Sequence, residues 1–276
     1  MKNIHACLFL MFLLIASCSP NARSIKNNVV NDQETDTVSY SLIAHRGGIV
    51  EKLYEEYDPA SLEAAIDSGY WMLEIDVRPT ADKQIVIHHD ESLNRIYGLM
   101  KMVSDMSLAE LKQLKSKKSG FTPMTFEEVT KMCSGKVHFM MDVKPRHPEE
   151  WFIEELKRVL EKYGMLENAW FIRNDLKQHF TKGRYGFRMR ELDEMKERMK
   201  NGEDIAKSYY LFDHGNRINS ETTRWCQRNN IQVCASVNFG HYKLEPHFEG
   251  AKRDIEYLKK AGVSIFQIDS PYDEFF

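Results

Sequence analysis

The stretch WMLEIDVRPTADKQIVIHHD, residues 71–90, decides how the rest of the chain is read. It opens on alternating positions, Leu73-Glu74-Ile75-Asp76-Val77, and closes on His88-His89-Asp90. In a β-strand, residues i and i+2 share a face, one pleat repeat of ~6.6 Å apart. Glu74 and Asp76 therefore point one way, and Leu73, Ile75 and Val77 the other. Two carboxylates on one strand face repel unless something positive lies between them, and a hard divalent cation with oxygen ligands is the usual answer. A half-exposed strand carrying two solvated acids is the competing reading of these residues alone.

Outward from this stretch, short apolar runs alternate with amphipathic stretches of helical period. The runs SLIAHR, WMLEIDV, KVHFMMDVK, NAWFIRN, YGFRMR, SYYLFDH, IQVCASVN and VSIFQID predict eight main strands, and QIVIHH returns as a hairpin after the second. Between them, residues 59–68 predict a helix with Asp58 as N-cap, Pro59 at the first helical position and Gly69 as the stop. SLAELKQLK and TFEEVTKMC each begin at a Ser or Thr with Glu three residues on. A long amphipathic helix is predicted over 147–163, a short one at DLKQHFTKG, and others at ELDEMKERMKNG, SETTRWCQRNN and FEGAKRDIEYLKKAG.

Alternating β and α units imply a parallel sheet flanked by helices. Eight units fit a single (β/α)8 barrel better than an open doubly wound sheet. No Gly-rich phosphate loop follows any strand, which removes the common nucleotide-binding readings. Polar residues gather at the C-terminal ends of the predicted strands: His45-Arg46, Glu74 and Asp76, Asp142 and Lys144, Arg173, Arg188 and Arg190, Asp213-His214, Asn238 and Asp269. In barrel enzymes that end carries the active site. A chain of 276 residues with 42% apolar content can bury such a core, and its formal charge of −3 without a basic block argues against nucleic acid as a partner.

The N-terminal residues read as targeting signal. Lys2 precedes a short apolar run, Ala6 to Ala16, too short for a permanent membrane span. Ile15-Ala16-Ser17-Cys18 resembles the bacterial lipoprotein lipobox, which implies cleavage before Cys18 and acylation of that cysteine. An ordinary secreted protein with an incidental cysteine is the alternative. The expected organisation is a signal peptide over 1–17, a polar flexible tether over 18–39 and a single domain over 40–276. That places the protein in the cell envelope, lipid-anchored in the periplasm or outer membrane and attached to the membrane through Cys18. Cys133, Cys226 and Cys234 read as small buried apolar residues, with Cys226 and Cys234 the nearest pair for a disulfide.

Three motifs in order, AHRGG at 44–48, LEIDV at 73–77 and IHHDESLNR at 87–95, resemble the glycerophosphodiester phosphodiesterases. The resemblance covers roughly residues 41–271 and is strongest over 43–95. It implies that His45 and His89 form a general acid–base pair. Glu74, Asp76 and Asp142 would be metal ligands for a divalent cation, Ca²⁺ or Mg²⁺, and Arg46 and Lys144 would hold the phosphate. It further implies attack by a neighbouring glycerol hydroxyl, giving a cyclic phosphate that is then opened. The chemistry is coherent by itself, since a phosphodiester repels nucleophiles until its charge is neutralised. Oxygen ligands favour Ca²⁺ or Mg²⁺ over zinc.

Two positions depart from the family pattern. Asp142 stands where a glutamate is usual, and Pro59-Ala60-Ser61-Leu62 replaces Pro-Glu-Asn-Thr. The expected function is metal-dependent hydrolysis of a small-molecule phosphodiester, with no obligate protein partner. A catalytically weak barrel that binds a phosphorylated ligand at the cell surface is the alternative the departures keep open. A carboxylate-based glycoside hydrolase is a third reading, but it leaves the paired histidines and Arg46-Lys144 without a role. Arg173, Arg188, Arg190 and His214 are candidate contacts to an anionic head group, or else partners of Asp175, Asp193 or Asp213.

Overall fold

Each apolar run becomes a strand, and the strands close on themselves. The structure, a computed structural model, describes residues 39–50 and 54–276. Within these lie β1 (Ser41–Ala44), β2 (Met72–Pro79), β3 (Ile85–Ile87), β4 (His138–Val143), β5 (Trp170–Phe171), β6 (Arg184–Phe187), β7 (Tyr209–His214), β8 (Gln232–Val237) and β9 (Ile265–Ile268). β1 pairs in parallel with β2 on one side and β9 on the other. The remaining neighbours run β9-β8-β7-β6-β5-β4-β2, so eight parallel strands form a closed (β/α)8 barrel. β3 folds back antiparallel on β2, with Val77 opposite Ile87, as the small hairpin expected after the second strand.

The apolar residues divide between two faces of the wall. Leu73, Ile75 and Val77 of β2 pack outward with helix residues such as Leu62, Phe152 and Ile255. Met72 joins Ile43, Met140, Trp170, Tyr210, Cys234 and Ile265 inside the barrel, where Trp170 and Tyr210 lie 4.1 Å apart between ring centroids. Along β2 the inward positions therefore pass from Met72 through Glu74 to Asp76, from an apolar floor to an acidic mouth. This is the layered filling that makes such a barrel a packed core, with polar chemistry at its C-terminal end.

Local signals set most helix starts. Asp58 accepts the Ala60 N–H at 2.9 Å and Pro59 opens the helix Pro59–Asp67. Ser107 with Glu110 and Thr125 with Glu128 form reciprocal capping boxes. Two expected elements are shorter than their patterns. The helix after Ser107 ends at Leu111, because Leu111 is buried in a separate cluster with Val86, Leu93, Val103 and Met106 and the following chain turns back, Lys117 N–H bonding Ile96 O at 2.9 Å. The stretch DLKQHFTKG yields only a 3₁₀ turn over Asn174–Gln178.

All three described cysteines are free and buried, as small apolar residues. Cys226 packs with the outer helices and Cys234 inside the barrel, so the β-wall separates the pair that sequence proximity favoured for a disulfide. Cys18, the cleavage point before it and the tether through residue 38 lie outside the described residues. Among the described residues no helix is long and apolar enough to cross a membrane.

Candidate active site

The end of β1 is a sharp turn that aims three groups inward. Arg46 has φ 54° and Gly47 φ 79°, both in the left-handed region. A side chain at Gly47 would meet Leu62 Cδ2 and Tyr57 Cδ1, each at 2.8 Å, so only glycine meets both the backbone and the space requirement. The turn lets the Arg46 N–H donate to Glu74 Oε2 at 2.7 Å. His45 Nδ1 meets Asp269 Oδ1 at 2.7 Å, and the other carboxylate oxygen accepts the Phe239 N–H at 2.6 Å. Burial opposes a charged His45, but the Asp269 carboxylate outweighs it and holds the imidazole above its ordinary pKa. Because an ionised Asp269 can only accept, Nδ1 carries the proton there and Nε2 is the free nitrogen.

Glu74, Asp76 and Asp142 come together beside this turn, each offering an oxygen within 4.8 Å of the others. Parallel pairing of β2 and β4 puts Asp76 directly opposite Asp142. The shorter Asp142 side chain is thus brought into the cluster by strand register. Lys144 lies against Asp76 and 2.7 Å from Asp142 Oδ2. Burial, and then the neighbouring Asp76 charge, push the Glu74 carboxyl up to about 8. Burial raises Asp142 too, with Asp76 adding to it. Burial would also raise Asp76, but Lys144 and the Tyr57 hydroxyl, which donates to it, bring it down to about 2. Three carboxylates at this spacing, two of them raised by burial and by the Asp76 charge, fit a divalent cation.

A closed ring of polar contacts joins the β1 turn to the hairpin. Arg46 Nη1 donates to Glu56 Oε2 at 2.9 Å, and Arg95 grips both Glu56 oxygens at 2.8 and 2.5 Å. Arg95 Nε reaches Asp90 Oδ2 at 2.6 Å, Asp90 Oδ1 meets His89 Nδ1 at 2.7 Å, and His89 Nε2 returns to Arg46 Nη2 at 3.3 Å. Burial lowers the His89 pKa below its ordinary value, more than the Asp76 charge raises it. The neutral ring is thus favoured.

Every residue singled out by the motifs reaches this mouth: His45, Arg46, Glu74, Asp76, His89, Asp142 and Lys144. Their surroundings were less evident. Asp90 and Arg95 stood in a quoted motif without a role, and Asp269 was visible only as a polar strand end. Glu56 was visible as part of an acidic loop over residues 49–58 at the expected pocket mouth, without an assigned partner, and Tyr57 carried no periodic signal. His88, expected to face outward or toward supporting groups, is a buried histidine bonded to Ser92 O at 3.2 Å. Arg173 serves structure, gripping Asp175 and the carbonyls of Pro145 and Arg146. Arg188 lies over the Phe212 ring, Asp193 pairs with Lys196, and Asp213 with Arg217. His214 sits edge-on to His241 at the rim, 4.4 Å between centroids.

Beside His45 and Arg46 a cavity of about 390 Å³ opens, lined also by Tyr54, Glu56, Arg95 and Phe239. On the far side, Arg78, Lys144 and Arg146 border a second of about 460 Å³.

Residues 45–242 match the glycerophosphoryl diester phosphodiesterase family, a span that holds His45, Arg46, Glu74, Asp76, His89, Asp142 and Lys144. The chain belongs to that family. It is 27% identical over 249 residues to a glycerophosphodiester phosphodiesterase of Caldanaerobacter subterraneus subsp. tengcongensis, covering 83% of this chain and 94% of that one. It is 42% identical over 69 residues to the human lysophospholipase D GDPD1, where the match covers 25% of this chain and spans only 21% of the human protein. Among solved structures, the fold resembles an Oleispira antarctica phosphodiesterase in complex with the product sn-glycerol-3-phosphate. The TM-score is 0.66 at 21% identity, covering 84% of this chain and 94% of that one.

Proposed function

We propose that the protein hydrolyses glycerophosphodiesters to an alcohol and glycerol phosphate, using His45 and His89 for proton transfer and a divalent cation for charge. The observation that carries this reading is the arrangement of the two histidines around one acidic cluster. His45 precedes Arg46, whose N–H bonds Glu74 Oε2 at 2.7 Å, and His89 follows the hairpin strand paired with β2 and meets the same Arg46 at 3.3 Å through Nε2. Each histidine is held at Nδ1 by an aspartate, Asp269 or Asp90, so the substrate-side nitrogen is Nε2, which in His89 meets Arg46 Nη2 at 3.3 Å. Family membership and the product complex of the Oleispira protein support the same reading.

Arg46 and Lys144 would hold the phosphate, Arg46 through two oxygens and Lys144 as a point charge. His89, favoured neutral, suits the base that takes the proton of the attacking hydroxyl. His45, favoured protonated, suits the acid that gives its Nε2 proton to the leaving alkoxide. Opening of a cyclic phosphate by water would reverse the two roles. Ca²⁺ or Mg²⁺ held by Glu74, Asp76 and Asp142 would neutralise the phosphoryl oxygens as negative charge develops.

The test is turnover of glycerophosphocholine and glycerophosphoethanolamine by the purified chain. Release of glycerol phosphate that disappears in His45→Ala is the expected result. Tight binding of the diester without turnover would favour the ligand-binding barrel instead. We further propose that Cys18 is acylated and anchors the domain to the cell envelope through the tether. Metabolic labelling with palmitate should mark the wild type and not Cys18→Ser.

A further inference from the structure

Glu56 is an acid that the proposed chemistry does not use, yet it is one of the most constrained groups at the mouth. It is 6% exposed and accepts three hydrogen bonds from two different guanidinium groups. The next residue, Tyr57, adopts φ 60°, a conformation unfavourable for a bulky side chain. Strain of this kind persists where surrounding contacts over-determine it. Here those contacts are the Tyr57 hydroxyl on Asp76, the Glu56 carboxylate on Arg46 and Arg95, and the Asp58 cap of the following helix.

What Glu56 does to Arg46 is visible atom by atom. It occupies Nη1. Arg46 Nη2 meets only the neutral nitrogen of His89, and Arg46 Nε is buried with no hydrogen-bond partner. Glu56 thus fixes the guanidinium through Nη1 at the wall of the 390 Å³ cavity, where its charge faces an incoming anion. A simple structural ion pair would be satisfied by Arg95 alone, which already covers both Glu56 oxygens. Sharing Oε2 with Arg46 instead brings two like charges onto one carboxylate, an arrangement that favours an incoming anion.

We propose that Glu56 is a positioning residue for phosphate recognition. Its carboxylate holds the Arg46 guanidinium at the cavity wall and, through Arg95 and Asp90, holds His89 in register with it. This rests on the phosphodiesterase reading above.

A double-mutant cycle tests it, using wild type, Glu56→Gln, Arg46→Ala and the double variant of the full chain. Two quantities are read: kcat/KM on glycerophosphocholine and calorimetric affinity for sn-glycerol 3-phosphate. Glu56→Gln alone should lower kcat/KM on the order of 10- to 100-fold and weaken product binding. In the Arg46→Ala background the same change should cost less than about 2-fold, because the group it positions is gone. Equal losses in both backgrounds, or no loss in either, would overturn the proposal. If Glu56→Gln does not fold by thermal melt, Arg95→Lys replaces it in the cycle. It keeps the charge, lies on the more exposed side and gives up only the fork, and it should show the same dependence on Arg46. Absence of turnover in wild type would count against the phosphodiesterase reading alone, since the binding cycle still decides whether Glu56 orients Arg46.

Discussion

The two histidines of the mouth are chemically alike and are held in opposite ways. His45 sits at the end of a barrel strand, and its partner Asp269 ends the adjacent strand, 3% exposed and fixed in turn by the Phe239 N–H. His89 stands on the hairpin, outside the barrel ladder, and its partner Asp90 is reached by Arg95, which is 43% exposed at its side chain. One position is set by neighbouring strands and a buried carboxylate. The other is set by a chain of charges running from Asp90 to Glu56. The titration follows: Asp269 lifts His45 against burial, whereas at His89 burial prevails. A site that needs one acid and one base near neutral pH obtains them from one residue type by changing what surrounds it.

Asp269→Asn should break the barrel half of this comparison with the largest effect. The substituted amide no longer fixes the Nδ1–H tautomer or favours the imidazolium, and kcat should fall on the order of 10³- to 10⁴-fold in steady-state assays. Asp90→Asn, on the hairpin half, should cost less, on the order of 10- to 100-fold, because Arg46 and the backbone still restrain His89.

The pH profile of kcat/KM separates the two more sharply. A base must be deprotonated, so the acidic limb follows His89, whose pKa is lowered. An acid must be protonated, so the basic limb follows His45, whose pKa is raised. Asp269→Asn removes a group that raises His45 and should move the basic limb to lower pH while the acidic limb stays. Asp90→Asn removes a group that raises His89 and should move the acidic limb lower while the basic limb stays. Movement of both limbs in either variant would mean that the histidines titrate as one unit.

The smallest effect is on stability. Gly47→Ala sets a side chain at φ 79° and 2.8 Å from Leu62 and Tyr57, and should destabilise the fold by about 1–3 kcal/mol in denaturant titrations.

The barrel and its acidic row were legible because both rest on local periodicity. The alternation through Leu73 to Val77 places Glu74 and Asp76 inward whatever the rest of the chain does. The caps at Asp58, Ser107 and Thr125 are three- or four-residue patterns and appear as read. Asp142 owed its role to the family resemblance, as the strand-end acid where a glutamate is usual, and register with Asp76 brings it into reach. The supporting groups were not legible, since they depend on contacts between distant segments. Glu56 and Arg95 lie 39 residues apart and meet only because the hairpin lobe folds against the loop before the helix Pro59–Asp67. That loop shows no period, and Tyr57 reaches Asp76 only through a backbone conformation that no tyrosine adopts by preference. The helix after Ser107 was overestimated for a related reason: its periodic pattern continues, but burial of Leu111 and the return of Lys117 to Ile96 end it.

The central claim is that three strand carboxylates and a divalent cation serve phosphodiester hydrolysis. Turnover of glycerophosphocholine by chelated protein, before and after metal is returned, tests it most directly. EDTA should remove glycerol phosphate release, and Ca²⁺ or Mg²⁺ should restore it in wild type but not in Asp76→Asn. Turnover that persists in EDTA, or that Asp76→Asn leaves intact, would contradict it.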